Sequence, residues 1–341
     1  MSVQLVEAVP RQVAATPDVI SERERMNEFG RVLDGVETGV VVETSVHLDT
    51  ETPVDDAANY FIHTERLAGP NLYLHESQAA LAEAGKPSFL PRRSRGRTSA
   101  HGVFFGDMLF EDGTVVQVAV KPHDDESLQS CATDYFTNTA AQELGLKTLE
   151  PLGMVVGAEG KAYSLTVRDE TLRTLDAINW QQLAAQDLEQ FHNVWGQVAR
   201  QMAMLHSMGK VSHGDLAARN IAVGIDGGVF MIDWEHGTMS TQQPRDPEIR
   251  YSYSRADVGE LMESLVRTRK DSFKGGIELL TNEPEPWQAF RGLIFDEYVA
   301  TRLDFAKNPA ERRDIQDELV ELERSLQQHM GNLLAKYAAH Q

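Results

Sequence analysis

His213-Gly214-Asp215-Leu216-Ala217-Ala218-Arg219-Asn220, followed by Asp233-Trp234-Glu235, decides the reading of this chain. Asp215 is followed five residues later by Asn220, and Asn220 thirteen residues later by Asp233. Phosphoryl transfer from ATP needs such a set: one carboxylate to take the proton of an attacking hydroxyl, and an amide with a second carboxylate to hold magnesium against the phosphates. The residues between fit the geometry. Ile221-Ala222-Val223 reads as a short strand, 224–228 as a Gly-rich turn, and Val229-Phe230-Met231-Ile232 as the returning strand. Such a hairpin brings Asn220 and Asp233 to the same end, where both reach one metal ion. Turn chemistry alone would also account for His-Gly-Asp, but not for three polar residues and a hairpin together.

The pattern resembles the protein-kinase-like superfamily, with its His-x-Asp-x-x-x-x-Asn catalytic loop and Asp-Phe-Gly metal motif. Gly214 stands where the usual pattern has Arg, and Trp234-Glu235 where it has Phe-Gly. Those departures are similar to the aminoglycoside and choline phosphotransferases and the small atypical kinases. Leu216 to Asn220 is similar to the tyrosine-kinase form of the loop, so the branch stays open. The resemblance implies a bilobal α+β fold: a small antiparallel β-sheet lobe at 91–168 and a mainly helical large lobe at 169–341, with ATP in the cleft between them.

The resemblance also assigns the remaining parts. Val115-Val116-Gln117-Val118-Ala119-Val120-Lys121 alternates like a strand and is similar to the Val-Ala-Ile-Lys strand, which makes Lys121 the phosphate-holding ammonium. Val103 to Phe110 is the preceding strand, turned by Asp112-Gly113. A phosphate-covering loop falls at 95–102, where Gly96 and Gly102 lack the full Gly-x-Gly-x-x-Gly spacing and backbone N–H groups are the candidate cradle. A helix over Cys131 to Leu146, with Phe136, Ala140 and Leu144 on one stripe, should supply the carboxylate that pairs with Lys121. Glu143 is the choice, with Glu150 and Asp134 as rivals. Tyr163 to Arg168 reads as the strand into a hinge, where backbone groups near Val167, Asp169 and Glu170 bind adenine. Asp215, Lys121 and Arg219 are thus the candidate catalytic residues, and Asn220 and Asp233 the magnesium ligands.

The helix before the loop carries Phe191, Val194, Trp195, Val198, Met202 and Leu205 at steps of three and four, and should end at Gly209-Lys210. It delivers His213, read as a structural residue bonding backbone groups near the metal motif. The segment after Asp233 is short, with Asp246-Pro247-Glu248 as a loose echo of Ala-Pro-Glu. Gly214 cannot clamp a phosphate there, so no regulation through that residue is expected.

Net charge is −20, from 52 acidic against 32 basic residues, which disfavours nucleic acid and acidic membrane surfaces as partners. Arg92, Arg93, Arg95 and Arg97 form a local exception, facing either phosphates or an acidic patch of the same protein. The single cysteine, Cys131, fits a reducing compartment. With no membrane-spanning run and no secretory signal, a cytoplasmic location is expected.

Residues 1–90 read as an N-terminal extension of open role, with helices from Ser21 to Leu33 and from Ser77, and a strand within Val36 to Val46. At the other end Asn308-Pro309 is a helix start. Ile315, Leu319, Leu322, Leu326, Met330, Leu333 and Tyr337 then form a stripe that packs on the large lobe or meets a partner helix; oligomeric state stays open. The expected activity is transfer of the γ-phosphate of ATP, with magnesium, to a hydroxyl on a protein or a small molecule. The alternatives are a nucleotide-binding pseudokinase acting as scaffold or switch, and transfer of another part of ATP.

Overall fold

The computed structural model describes residues 22–42, 71–92, 103–123, 127–157, 160–208, 211–239, 247–266 and 284–338. They form a bilobal α+β fold. The small lobe is built on one seven-stranded sheet, in the order β1-β2-β6-β7-β5-β4-β3. Its strands are β1 (Glu37–Val42), β2 (Asn71–His75), β3 (Ser88–Pro91), β4 (Phe104–Leu109), β5 (Val115–His123), β6 (Pro151–Val156) and β7 (Ala162–Val167). All neighbours pair antiparallel except β1 and β2, which are parallel.

The period-two alternation of the strands divides the side chains between two faces. On one face Val118 and Val120 of β5, Phe104 and Met108 of β4, and Tyr163 and Leu165 of β7 pack under Phe29 and Leu33 of α1 (Glu22–Asp34). Phe29 meets Phe104 and Tyr163 edge-on at centroid distances of 5.6 and 5.0 Å. The other face carries Lys121, His123 and Ser164. There α3 (Ser127–Glu143) packs Cys131, Tyr135 and Phe136 against Tyr73, Met154 and Val156, and a short α2 (Ala79–Glu83) precedes it in the chain.

This moves the lower boundary of the small lobe: of the predicted extension over 1–90, the described residues 22–42 and 71–90 belong to that lobe and supply α1, β1, β2 and most of β3. The helix at Ser21 to Leu33 and the strand after Val36 occur as expected. Phe29, Leu33 and Val36 are buried because α1 roofs the sheet, and β2 closes the edge of β6.

The large lobe gathers around α5 (Leu188–Met208), whose Phe191, Val194, Trp195, Val198, Met202 and Leu205 are all buried. Ahead of it lie β8 (Arg173–Thr174) and α4 (Trp180–Gln186). The chain then forms β9 (Val211–Ser212), the hairpin β10 (Ile221–Val223) and β11 (Val229–Met231), and β12 (Thr238–Met239), which pairs back on β9. Helices α6 (Pro247–Val266), α7 (Pro286–Phe290), α8 (Asp296–Asp304) and α9 (Pro309–Ala338) complete the lobe. Asn308 caps α9 through Oδ1, which accepts from the Ala310 and Glu311 N–H groups at 3.0 Å. The stripe Ile315, Leu319, Leu322, Leu326 and Met330 is buried in the large-lobe core, so α9 packs within its own chain. No helix among the described residues is long and apolar enough to cross a membrane.

Candidate active site

The two lobes meet at Lys121. Its ammonium contacts the Asp233 carboxylate, lies 2.9 Å from Glu235 Oε2 and 4.0 Å from Asp134 Oδ2. Burial opposes the charge on Lys121, but Asp134, Asp233 and Glu235 together outweigh it and hold the ammonium well above the ordinary lysine range.

The helix carboxylate at Lys121 is therefore Asp134, not Glu143. Glu143 lies nine residues further on, roughly 13 Å along the helix axis, at an exposed position. The stretch from Leu128 to Phe136 is the part of the helix that lies against the sheet beside β5. The other rival, Glu150, accepts a hydrogen bond from Gln78 at 2.6 Å. Asp134 does more than pair with lysine. Its Oδ1 accepts from the Trp234 N–H at 2.8 Å, and its Oδ2 from Ser164 Oγ at 2.7 Å.

Asp233 sits in the left-handed region at φ 69°, the one non-glycine with positive φ among the described residues. A β-carbon makes that conformation costly, and such strain gathers at functional sites. Trp234 turns into the core, with its ring 4.5 Å from that of His213. Asp233 and Glu235, on either side of it, both face Lys121.

The loop at 213–220 is held from below. Asp257, fully buried on α6, accepts from the His213 and Gly214 N–H groups at 3.1 and 2.9 Å. Burial would raise the Asp257 pKa, but the hydrogen bond from His206 at 3.1 Å and the donors of the loop lower it instead. His206 is braced in turn by Tyr298 Oη at 2.9 Å from its Nδ1. His213 Nε2 donates to the Ile232 carbonyl at 2.9 Å, the structural role expected of it. Gly214 has φ 78°, and a β-carbon there would overlap the His236 carbonyl. Glycine is thus required by the backbone, not merely an arginine lost.

Asp215 is half-buried and accepts twice from Arg219, at 2.9 and 2.7 Å. Asn220 donates to the Asp215 carbonyl at 2.8 Å and to its carboxylate at 2.9 Å. With the amide nitrogen so engaged, the amide oxygen is the atom of Asn220 that suits a cation. Asn220 also accepts from the Ile232 N–H at 2.9 Å, which fastens it beside the strand leading to Asp233, as the hairpin spacing predicts.

At the hinge the Val167 N–H donates to the Glu150 carbonyl at 2.9 Å. The Asp169 carboxylate accepts from the N–H and hydroxyl of Thr171 at 2.8 and 2.7 Å. Arg168 lies over the Phe105 ring at 4.4 Å. Arg92 bonds Asp107 at 2.7 Å, an acidic partner within the same lobe. Gly96 and Gly102 lie outside the described residues, as do Arg93, Arg95, Arg97, Gly209, Lys210 and Asp246.

No family model matches the sequence, and no curated protein does. A solved structure described as "WaaP in complex with acyl carrier protein" is similar at 14% identity, covering 78% of this chain and 96% of that one, with a TM-score of 0.41.

Sequence reasoning missed Glu235 as a partner of Lys121, and it missed Asp257. Asp257 had a visible signal: its carboxylate stands at four- and eight-residue steps from Leu261 and Leu265, in the apolar stripe of α6.

Proposed function

We propose that this protein is a magnesium-dependent phosphotransferase that moves the γ-phosphate of ATP to a hydroxyl acceptor. The observation that carries the reading is the junction of Lys121, on a small-lobe strand, with Asp233, one residue beyond the strand end that Asn220 holds. Asp215 would take the hydroxyl proton, with Arg219 orienting its carboxylate. Lys121 would hold the phosphates, oriented by Asp134. The Asn220 amide oxygen and the Asp233 carboxylate are hard oxygen donors of the type magnesium prefers. Magnesium bound there would neutralise charge developing on the phosphate oxygens. Adenine would read the Val167 carbonyl and the Asp169 N–H, since the Val167 N–H and the Asp169 carboxylate are engaged within the chain. Most of the rate would come from positioning and electrostatics.

Gly214 and Trp234-Glu235 favour a small-molecule or atypical acceptor over a peptide, while Leu216 to Asn220 is the feature that favours a protein. Purified protein with magnesium and γ-labelled ATP, offered lysate proteins and a panel of small-molecule hydroxyls, tests the reading. Label transferred by the wild type and lost in Asp233→Asn supports it.

The second reading is a nucleotide-binding scaffold. It is favoured by the three carboxylates that already engage the Lys121 ammonium. ATP binding with no transfer to any acceptor would support it against the first.

A further inference from the structure

We propose that His123 is a positioning residue: through Ser164 it holds the Asp134 carboxylate in the orientation that meets Lys121 and the Trp234 N–H. The inference deepens the phosphotransferase reading and rests on it where nucleotide affinity is concerned.

His123 lies two residues beyond Lys121 on the same face of β5, with its side chain fully buried. Its Nδ1 is 3.1 Å from Ser130 Oγ, and its Nε2 is 3.0 Å from Ser164 Oγ. Asp134 and Glu235 each approach the ring only to 3.7 Å, beyond hydrogen-bond reach, so the connection to carboxylate passes through serine.

Counting protons fixes its direction. A carboxylate beside an ammonium only accepts, so the 2.7 Å contact between Ser164 Oγ and Asp134 Oδ2 uses the single hydroxyl proton of Ser164. Ser164 must then accept from His123, which places a proton on Nε2. Burial lowers the His123 pKa, against the pull of Asp134, and favours a neutral ring. Nδ1 is then an acceptor, and Ser130 donates to it. The bonds run one way: Ser130 to His123, His123 to Ser164, Ser164 to Asp134. The other Asp134 oxygen receives the Trp234 N–H at 2.8 Å.

The chain of bonds starts and ends on α3, one turn apart, and passes through β5 and β7 between. It ties the helix, the lysine strand and the metal motif into one unit. An Asp is shorter than a Glu and has little slack, so its rotamer must be set by such neighbours. Outer partners of this kind commonly change ligand affinity or activity about 10- to 100-fold when removed.

The test uses the full chain as wild type, His123→Gln, His123→Leu and Ser164→Ala. Gln keeps an N–H where Nε2 lies; Leu fills similar space without one. Imidazole nitrogen NMR should show a neutral His123 ring protonated on Nε2. The Trp234 amide resonance should stay in place in His123→Gln and shift in the other two variants. The Kd for magnesium-ATP should rise about tenfold in His123→Leu and Ser164→Ala, and stay near wild type in His123→Gln. A ring protonated on Nδ1, or a Trp234 amide that does not move in Ser164→Ala, overturns the proposal. If His123→Leu does not fold, Ser164→Ala decides it alone. If the wild type binds no nucleotide, the phosphotransferase reading falls, while the tautomer and the Trp234 amide still decide the relay.

Discussion

The Asp134 carboxylate on α3 accepts the backbone N–H of Trp234, next to Asp233, at 2.8 Å. A small-lobe helix and the large-lobe loop that carries Asp233 are thereby joined by a direct bond. Replacing Asp134 by Ala leaves that N–H and the Ser164 hydroxyl proton buried without their acceptor, at a cost of about 1–3 kcal/mol. Urea unfolding of Asp134→Ala measures it, alongside Glu143→Ala, which should stay within about 0.5 kcal/mol of wild type. Equal effects of the two changes would return Glu143 to consideration.

Asp215→Ala should reduce phosphoryl transfer about 100- to 10,000-fold, the range for loss of a general base. Its bonds to the half-exposed Arg219 contribute little to the fold, so the melting temperature should hold. Turnover at the wild-type rate in this variant would remove Asp215 from the mechanism.

Asp257→Ala takes away the acceptor for two loop N–H groups and for His206 at a fully buried site. The expected loss is about 3–5 kcal/mol, with an inactive protein even where it stays folded. Asp257→Asn, which can still accept one of those bonds, should fall between. Denaturant midpoints of the pair check this order, and its reversal would contradict the cradle.

Gly214→Arg would restore the residue usual in protein kinases. Here it should destabilise, by at least the roughly 1–2 kcal/mol of a left-handed non-glycine residue, with the clash at His236 added. Thermal melting settles it, and a more stable variant would mean the loop can adopt another path.

His123 and His213 are both held below the ordinary histidine range, chiefly by burial, with Asp134 and Asp257 respectively pulling the other way. A pKa lower in the folded than in the unfolded chain gives stability that is present above about pH 6.5 and lost as pH falls through the folded value. The melting temperature should therefore decline from about pH 7 to about pH 5, less steeply in His123→Gln. A flat profile would be inconsistent with two buried neutral rings.

What could be read from the sequence was local. The hairpin of β10 and β11, the Asn308 cap and the α5 stripe each follow from residues close in the chain or from one regular period. Lys121, Asp215, Asn220 and Asp233 were singled out by spacing, and the structure brings Lys121 to Asp233 and Asn220 to Asp215. Glu143 was misjudged because period and propensity give a helix but not which of its turns lies against a sheet. Glu235 was missed because its approach to Lys121 depends on the left-handed turn at Asp233, which no side-chain pattern announces. The helix and strand at 22–42 and the helix beginning near Ser77 were visible. β2 was not, because the strand it pairs with lies some eighty residues later.

That pairing bears on how the protein can be made and cut. β6 is buried along all six residues, and β2 occupies its outer edge. A fragment begun at residue 91, where motif-based trimming would start it, bares that edge and strips α1 from the aromatic face under it. An uncovered apolar strand edge recruits other chains. β2, some eighty residues ahead of β6 in the chain, must therefore wait for it before the sheet can close.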